Sequence, residues 1–152
     1  MTNMPIYLHF IYSFIATVGF SVFLRAPKKA LFASGFSGAL GWTLYYFLVL
    51  ITTNNISSNF AAALSVTLVS EIFAKKLKQP AIIFIIPGII PLVPGLGMYN
   101  TMLFLVQSNF DEAISKGVDV LFVGGAIALG VLIITSLSRT LKFVALEKAT
   151  KE

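Results

Sequence analysis

The sequence predicts an all-α integral membrane protein of five transmembrane helices, amino end outside and carboxyl end inside, with the fourth helix broken near the bilayer midplane. Three observations carry this. Of 152 residues, 57% are hydrophobic and 11% charged, against about 25% charged in an ordinary soluble domain, so polar side chains are too few to cover a globule. The apolar residues fall into runs close to the ~20 that cross a ~30 Å hydrocarbon core as a helix. One of those runs contains Pro87 to Gly97, PGIIPLVPGLG, with three prolines and three glycines, through which a helix cannot pass intact.

In chain order, residues 6–24 form the first span, which ends at Arg25, Pro27, Lys28 and Lys29. The start of the chain lacks the basic region of a cleavable signal, so this run is expected to stay as a helix. Residues 30–51 form the second span, followed by an uncharged loop from Thr52 to Asn59. The third, 56–77, closes on Lys75, Lys76 and Lys78, which snorkel to the headgroups. The fourth occupies 81–107 with its break at 87–97. Between Ser108 and Gly117 a small surface helix is expected, with Asn109 as N-cap, Glu112 three residues on and Gly117 as its stop. The fifth span is 118–137, and a basic tail, 138–152, follows. At this length a single membrane domain, 1–152, is expected, with no appended soluble domain and no linker.

Orientation comes from the basic residues. With the amino end outside, every one of the 11 Lys and Arg except Lys116 lies on the cytoplasmic side, as the positive-inside rule requires. Merging or splitting any segment would scatter them over both faces. The net charge of +5 is therefore a membrane signature and not a nucleic-acid surface, because the basic residues sit at the ends of apolar runs. Cysteine is absent, which removes disulfides, thiolate metal sites and Cys nucleophiles. No Ser–His–Asp set, paired carboxylates, HExxH or phosphate loop is present, so the chain does not read as an enzyme, and neither a metal nor another cofactor is expected.

The broken span is the candidate site. Pro87, Pro91 and Pro94 lack N–H groups and are expected to free the carbonyls of Ile83, Pro87 and Ile90; broken backbone at membrane depth survives only where protein buries it or a polar cavity meets it. Each arm of about 10 to 12 residues reaches roughly 15 to 18 Å, which sets the break near the midplane. Beyond it, Gly95 and Gly97 open a second half-helix whose free N–H groups favour a carboxylate, while the carbonyls before it favour an ammonium. Tyr99 and Asn100 add a hydroxyl and an amide. The plainer reading is a proline kink whose carbonyls neighbouring helices satisfy.

Other polar residues have two readings each. Glu71, the one carboxylate well inside an apolar segment, reads as a proton-coupling group or as the partner of Lys75 four residues on. Asp119 suits the positive amino end of the fifth helix. His9 reads as a polar anchor at the outer headgroups, and with no second histidine there is no metal spacing. Tyr7, Tyr12, Trp42, Tyr45 and Tyr46 mix anchoring with packing. The small residues Ser34, Gly35, Gly38 and Gly41, and Gly124, Gly125, Ala128 and Gly130, mark close helix contacts, some of them with a partner chain.

The stretches IIPGIIPLVPGLGMYNTM (Ile85 to Met102), SEIFAKKLKQPA (Ser70 to Ala81) and FLRAPKKAL (Phe23 to Leu31) together resemble the small membrane subunit of the bacterial threonine/serine exporter family over nearly the whole chain. The family's motif falls on Pro87, Gly88, Pro91, Pro94, Gly95 and Tyr99. The resemblance implies a subunit of a secondary transporter in the bacterial cell membrane that exports a small amino acid, proton-coupled and working with a larger subunit. It also leaves room for a dicarboxylate such as succinate as substrate, for a homo-oligomeric channel, and for a structural or assembly subunit that carries no substrate.

Overall fold

A computed structural model describes residues 5–151, with side chains described as far as residue 141. Among these residues the chain is helical throughout. Helices α1 (Ile6–Phe23), α2 (Lys28–Thr52) and α3 (Asn55–Leu77) form an up-and-down bundle. Helix α4 (Ile82–Ile89) runs into one 3-10 turn, Ile90–Leu92, and α5 (Gly95–Val106) leaves it at an angle of 53°. Helix α6 (Phe110–Lys151) completes the chain. Four of these helices are long and apolar enough to cross a bilayer, and the bent pair passes the same test when its two arms are taken together, as a broken span or a re-entrant loop.

Small side chains set how close the bundle packs. α2 turns Ala30, Ala33, Ser34, Ser37, Gly38 and Gly41 inward, so α1, α3 and α4 all press against one helix. Gly88 shows the tightness: a Cβ there would lie 2.8 Å from Val66 Cγ1 and 3.0 Å from Ser37 Oγ. On α6, a Cβ at Gly130 would meet Ala63 Cβ at 2.9 Å and the Phe60 carbonyl at 3.0 Å. The buried hydroxyls at these contacts mostly bond their own helix. Ser13, Thr17, Ser21, Ser34 and Thr67 each donate to the carbonyl four residues back, at 2.7 to 2.8 Å, which satisfies a polar group in an apolar surround. Two apolar clusters fill the rest, one around Val66, Leu92, Val123 and Ile127, the other around Ala30, Ala74 and Phe84.

Three local expectations are corrected. The loop expected from Thr52 to Asn59 is only Thr53 and Asn54, because Asn54 caps α3 and its Oδ1 accepts from the N–H groups of Ile56 at 3.0 Å and Ser57 at 3.3 Å. The expected stop at Gly117 does not occur. Glycine weakens a helix by only about 1 kcal/mol, and α6 continues through it, with Gly117 packed against Thr101 of α5. The surface helix and the fifth span are therefore one element, which carries on into the basic tail as far as Lys151. His9 is not a headgroup anchor: it packs between α1 and α2, its ring stacked on Tyr46 with centroids 3.9 Å apart.

Candidate functional site

The discontinuity lies later than the first proline. Helix α4 passes through Pro87, since Phe84, Ile85, Pro87 and Gly88 are all buried and this packing holds the segment although one backbone bond is missing. Pro91 falls at the start of the 3-10 turn, where the missing N–H has little consequence. The chain breaks at Val93 and Pro94. Pro94, at φ −76° and ψ 60°, forms an inverse γ-turn in which the Gly95 N–H donates to the Val93 carbonyl at 2.8 Å.

This turn decides which backbone groups are open. Met98 N–H donates to the Pro94 carbonyl at 3.0 Å, so in the first turn of α5 the N–H groups of Leu96 and Gly97 remain as free donors. On the α4 side the expectation of open carbonyls is corrected. The Pro87 carbonyl accepts from Ile90 N–H, and the Ile90 carbonyl accepts from Val93 N–H at 3.2 Å. Two of the three expected acceptors are thus used up in the 3-10 turn. An anion end survives at the break, but two of the three carbonyls of the expected cation end are taken.

A cleft of about 810 Å³ opens against the break. Its floor is the stretch from Pro91 to Gly97, joined by Asn100. Trp42 and Tyr45 of α2 and Asn55 and Asn59 of α3 form one wall; Lys116, Asp119, Val120 and Val123 of α6 form the other. A second hollow of about 470 Å³ shares Asn55, Asp119 and Val123 with it and reaches the α2–α3 turn. The two run from the α2–α3 turn down to the break, with a largely apolar lining at the break and polar groups at Asn55, Asn59, Asn100, Lys116 and Asp119.

Side chains provide the acceptors that backbone does not. Asn59, 4% exposed, donates from Nδ2 to the Asn55 carbonyl at 2.8 Å, and its Oδ1 has no hydrogen-bond partner. Its amide is oriented by that bond, because a flip would set two oxygens against each other. The Tyr45 hydroxyl donates to Asn55 Oδ1 at 3.3 Å. Lys116 Nζ and Asp119 Oδ2 stand 3.8 Å apart, both well exposed, so water screens their attraction and each is open to a ligand.

The structure gathers Pro91, Pro94, Gly95, Gly97 and Asn100 of the expected site into this cleft. It does not gather the others. Pro87 borders a separate apolar crevice of about 230 Å³ beside Leu24 and Ile86, Gly88 is a packing contact, and Tyr99 is 63% exposed and does not line the cleft. Glu71 is buried, 6% exposed, and is not among the lining residues. Sequence reasoning missed Asn59, Asn55 and the Trp42–Tyr45 pair. The uncharged TTNNISSN run was the available signal, but it reads as a loop unless the Asn54 cap is recognised.

Comparison with known proteins agrees with this architecture. Residues 9–137 match the family model for the threonine/serine exporter, ThrE. The chain belongs to the threonine/serine exporter family. Its members are transporters, not a class of enzyme, and this chain is a multi-pass membrane protein associated with the lipid bilayer. A curated relative, an uncharacterized protein of Haemophilus influenzae, is 26% identical over 128 residues, covering 79% of this chain and 43% of that protein. The exporter chain thus spans less than half the length of that relative. No solved structure matches it.

Proposed function

We propose that this chain is the small subunit of a proton-coupled secondary transporter that exports a small amino acid such as threonine or serine across the bacterial cell membrane. The observation that carries the reading is the cleft at the broken span. Free N–H groups of Leu96 and Gly97 at one end suit a carboxylate, and the Asn59 and Asp119 oxygens across from them suit an ammonium or a hydroxyl. A dicarboxylate finds a second cation in Lys116, but Asp119 3.8 Å away offsets that charge, so a zwitterion fits better. Glu71, ionisable and buried inside a span, is the candidate for proton coupling.

A larger membrane subunit completes the transporter. Two observations support this: the chain spans 43% of its relative, and no residue of α5 is buried, although α5 packs along α6. The test is uptake driven by an imposed pH gradient in liposomes containing this chain with its larger partner, using labelled threonine, serine and succinate in parallel. Uptake of the amino acids, abolished by a protonophore and by filling the cleft through Gly95→Trp, is the expected result. Uptake of succinate alone transfers the site to dicarboxylates. Flux that ignores the protonophore indicates a channel, and unaltered uptake in the variant leaves this chain a structural subunit.

A further inference from the structure

One titratable side chain outside the cleft is tied to its wall. Trp42 lines the cleft, and its indole Nε1–H donates to His9 Nδ1 at 3.3 Å. The Tyr46 ring lies flat on the imidazole, 24° from parallel. Because Nδ1 accepts, the neutral ring carries its proton on Nε2. That nitrogen is buried and has no hydrogen-bond partner.

The arrangement suits only the neutral ring. A second proton would sit on Nδ1 and face the indole N–H, two donors with no acceptor between them, and the other N–H would stay unpaired as well. A charged His9 therefore has to turn away, or Trp42 has to leave. No nearby charge offsets this. Among the described residues α1 carries no Asp, Glu, Lys or Arg, and neither α4 nor its 3-10 turn does. The α2 lysines, Lys28 and Lys29, lie about 20 Å away along that helix. Glu71 is about 18 Å down α3 from Asn59, and Lys116 and Asp119 face the cleft from α6. Tyr7, Tyr12, Tyr45 and Tyr46 are the remaining titratable groups on α1 and α2.

We infer that His9 is a proton-accepting positioning residue: its neutral ring holds the Trp42 wall of the cleft in place, and protonation from the His9 end of the bundle releases that wall. Its use in transport rests on the reading above; the His9–Trp42 linkage does not. In an exporter a proton taken up at His9 would loosen the cleft as cargo departs, which couples the two without contact between them.

Trp42 is the chain's single tryptophan, so the indole emission of this chain alone, reconstituted in lipid vesicles, reports this contact directly. The expected result is a change in emission when the pH is lowered from about 8 to about 5, lost in His9→Gln, whose amide oxygen still accepts from the indole but takes up no proton. His9→Phe, which keeps the stack on Tyr46, should also be flat. Wild-type emission that does not change over this range overturns the inference, as does a titration that persists in both variants. If the emission titrates as expected but no labelled amino acid is transported, the linkage stands and the transport reading fails. Transport with flat emission removes the His9 role alone.

Discussion

Gly88 and Gly95 are seven residues apart in one motif, yet their surroundings assign them different work. A Cβ at Gly88 would press on Val66 and on Ser37, whereas one at Gly95 meets nothing within 4 Å. Overpacking a close contact typically costs 1–3 kcal/mol, about the size of a large mutational effect in a membrane bundle. Gly88→Val is therefore expected to lower the thermal midpoint of the purified complex and to reduce transport only in proportion to folded protein. Gly95→Val should leave the midpoint unchanged and reduce counterflow at least tenfold by narrowing the cleft. Thermal unfolding and counterflow on the same preparations check both, and a stable, active Gly95→Val would remove Gly95 from the site. Residue type and motif spacing made both glycines visible in the sequence, but their division depends on what packs across from them. Asn59 was hidden for the same reason: its burial comes from α2 and α3 meeting, and nothing in its neighbours in sequence announces it.

At the scale of elements, the broken span was legible because proline chemistry is local. The extent of the break was not, because helix survival through Pro87 depends on burial against α2 and α3. Pro94 is the proline that turns the chain, through the inverse γ-turn that closes Gly95 N–H on the Val93 carbonyl. Pro94→Ala restores an N–H able to pair with the Ile90 carbonyl and lets α4 and α5 merge; counterflow should fall by a factor of ten or more while membrane insertion and expression hold. Retention of full activity would mean the bend is maintained by packing alone. The α5–α6 turn yields a second prediction. Ser108 takes a left-handed conformation at φ 58°, which costs a non-glycine residue roughly 1–2 kcal/mol. With Asn109 N–H bonded to the Phe104 carbonyl at 2.9 Å, the turn geometry is already that of a helix stop. Ser108→Gly is expected to raise the thermal midpoint by a few degrees without changing transport.

For the whole molecule, the direction in which the cleft opens decides whether its chemistry serves export. The cleft meets surface at the end that carries the α2–α3 and α5–α6 turns, and Lys116 is the one basic residue near it. The α1–α2 and α3–α4 turns at the other end carry Arg25, Lys28, Lys75, Lys76 and Lys78. Four of the expected spans and the sharing of turns between the two ends were legible in the sequence because hydropathy and lysine placement are set by the bilayer itself. The cleft was not, since it is a gap between helices distant in sequence. If the lysine-rich end is cytoplasmic, as the positive-inside rule has it, the cleft in this conformation faces outward, the state from which the proposed cargo would leave and a proton would enter. Because the chain has no cysteine, single-cysteine variants need no altered background. Lys116→Cys in intact cells should react with a membrane-impermeant maleimide, and Lys76→Cys only after permeabilisation. The reverse pattern would place the cleft and His9 on the cytoplasmic side, so that this conformation would be the one that loads cargo, and the reading of the cleft as an outward exit would be lost.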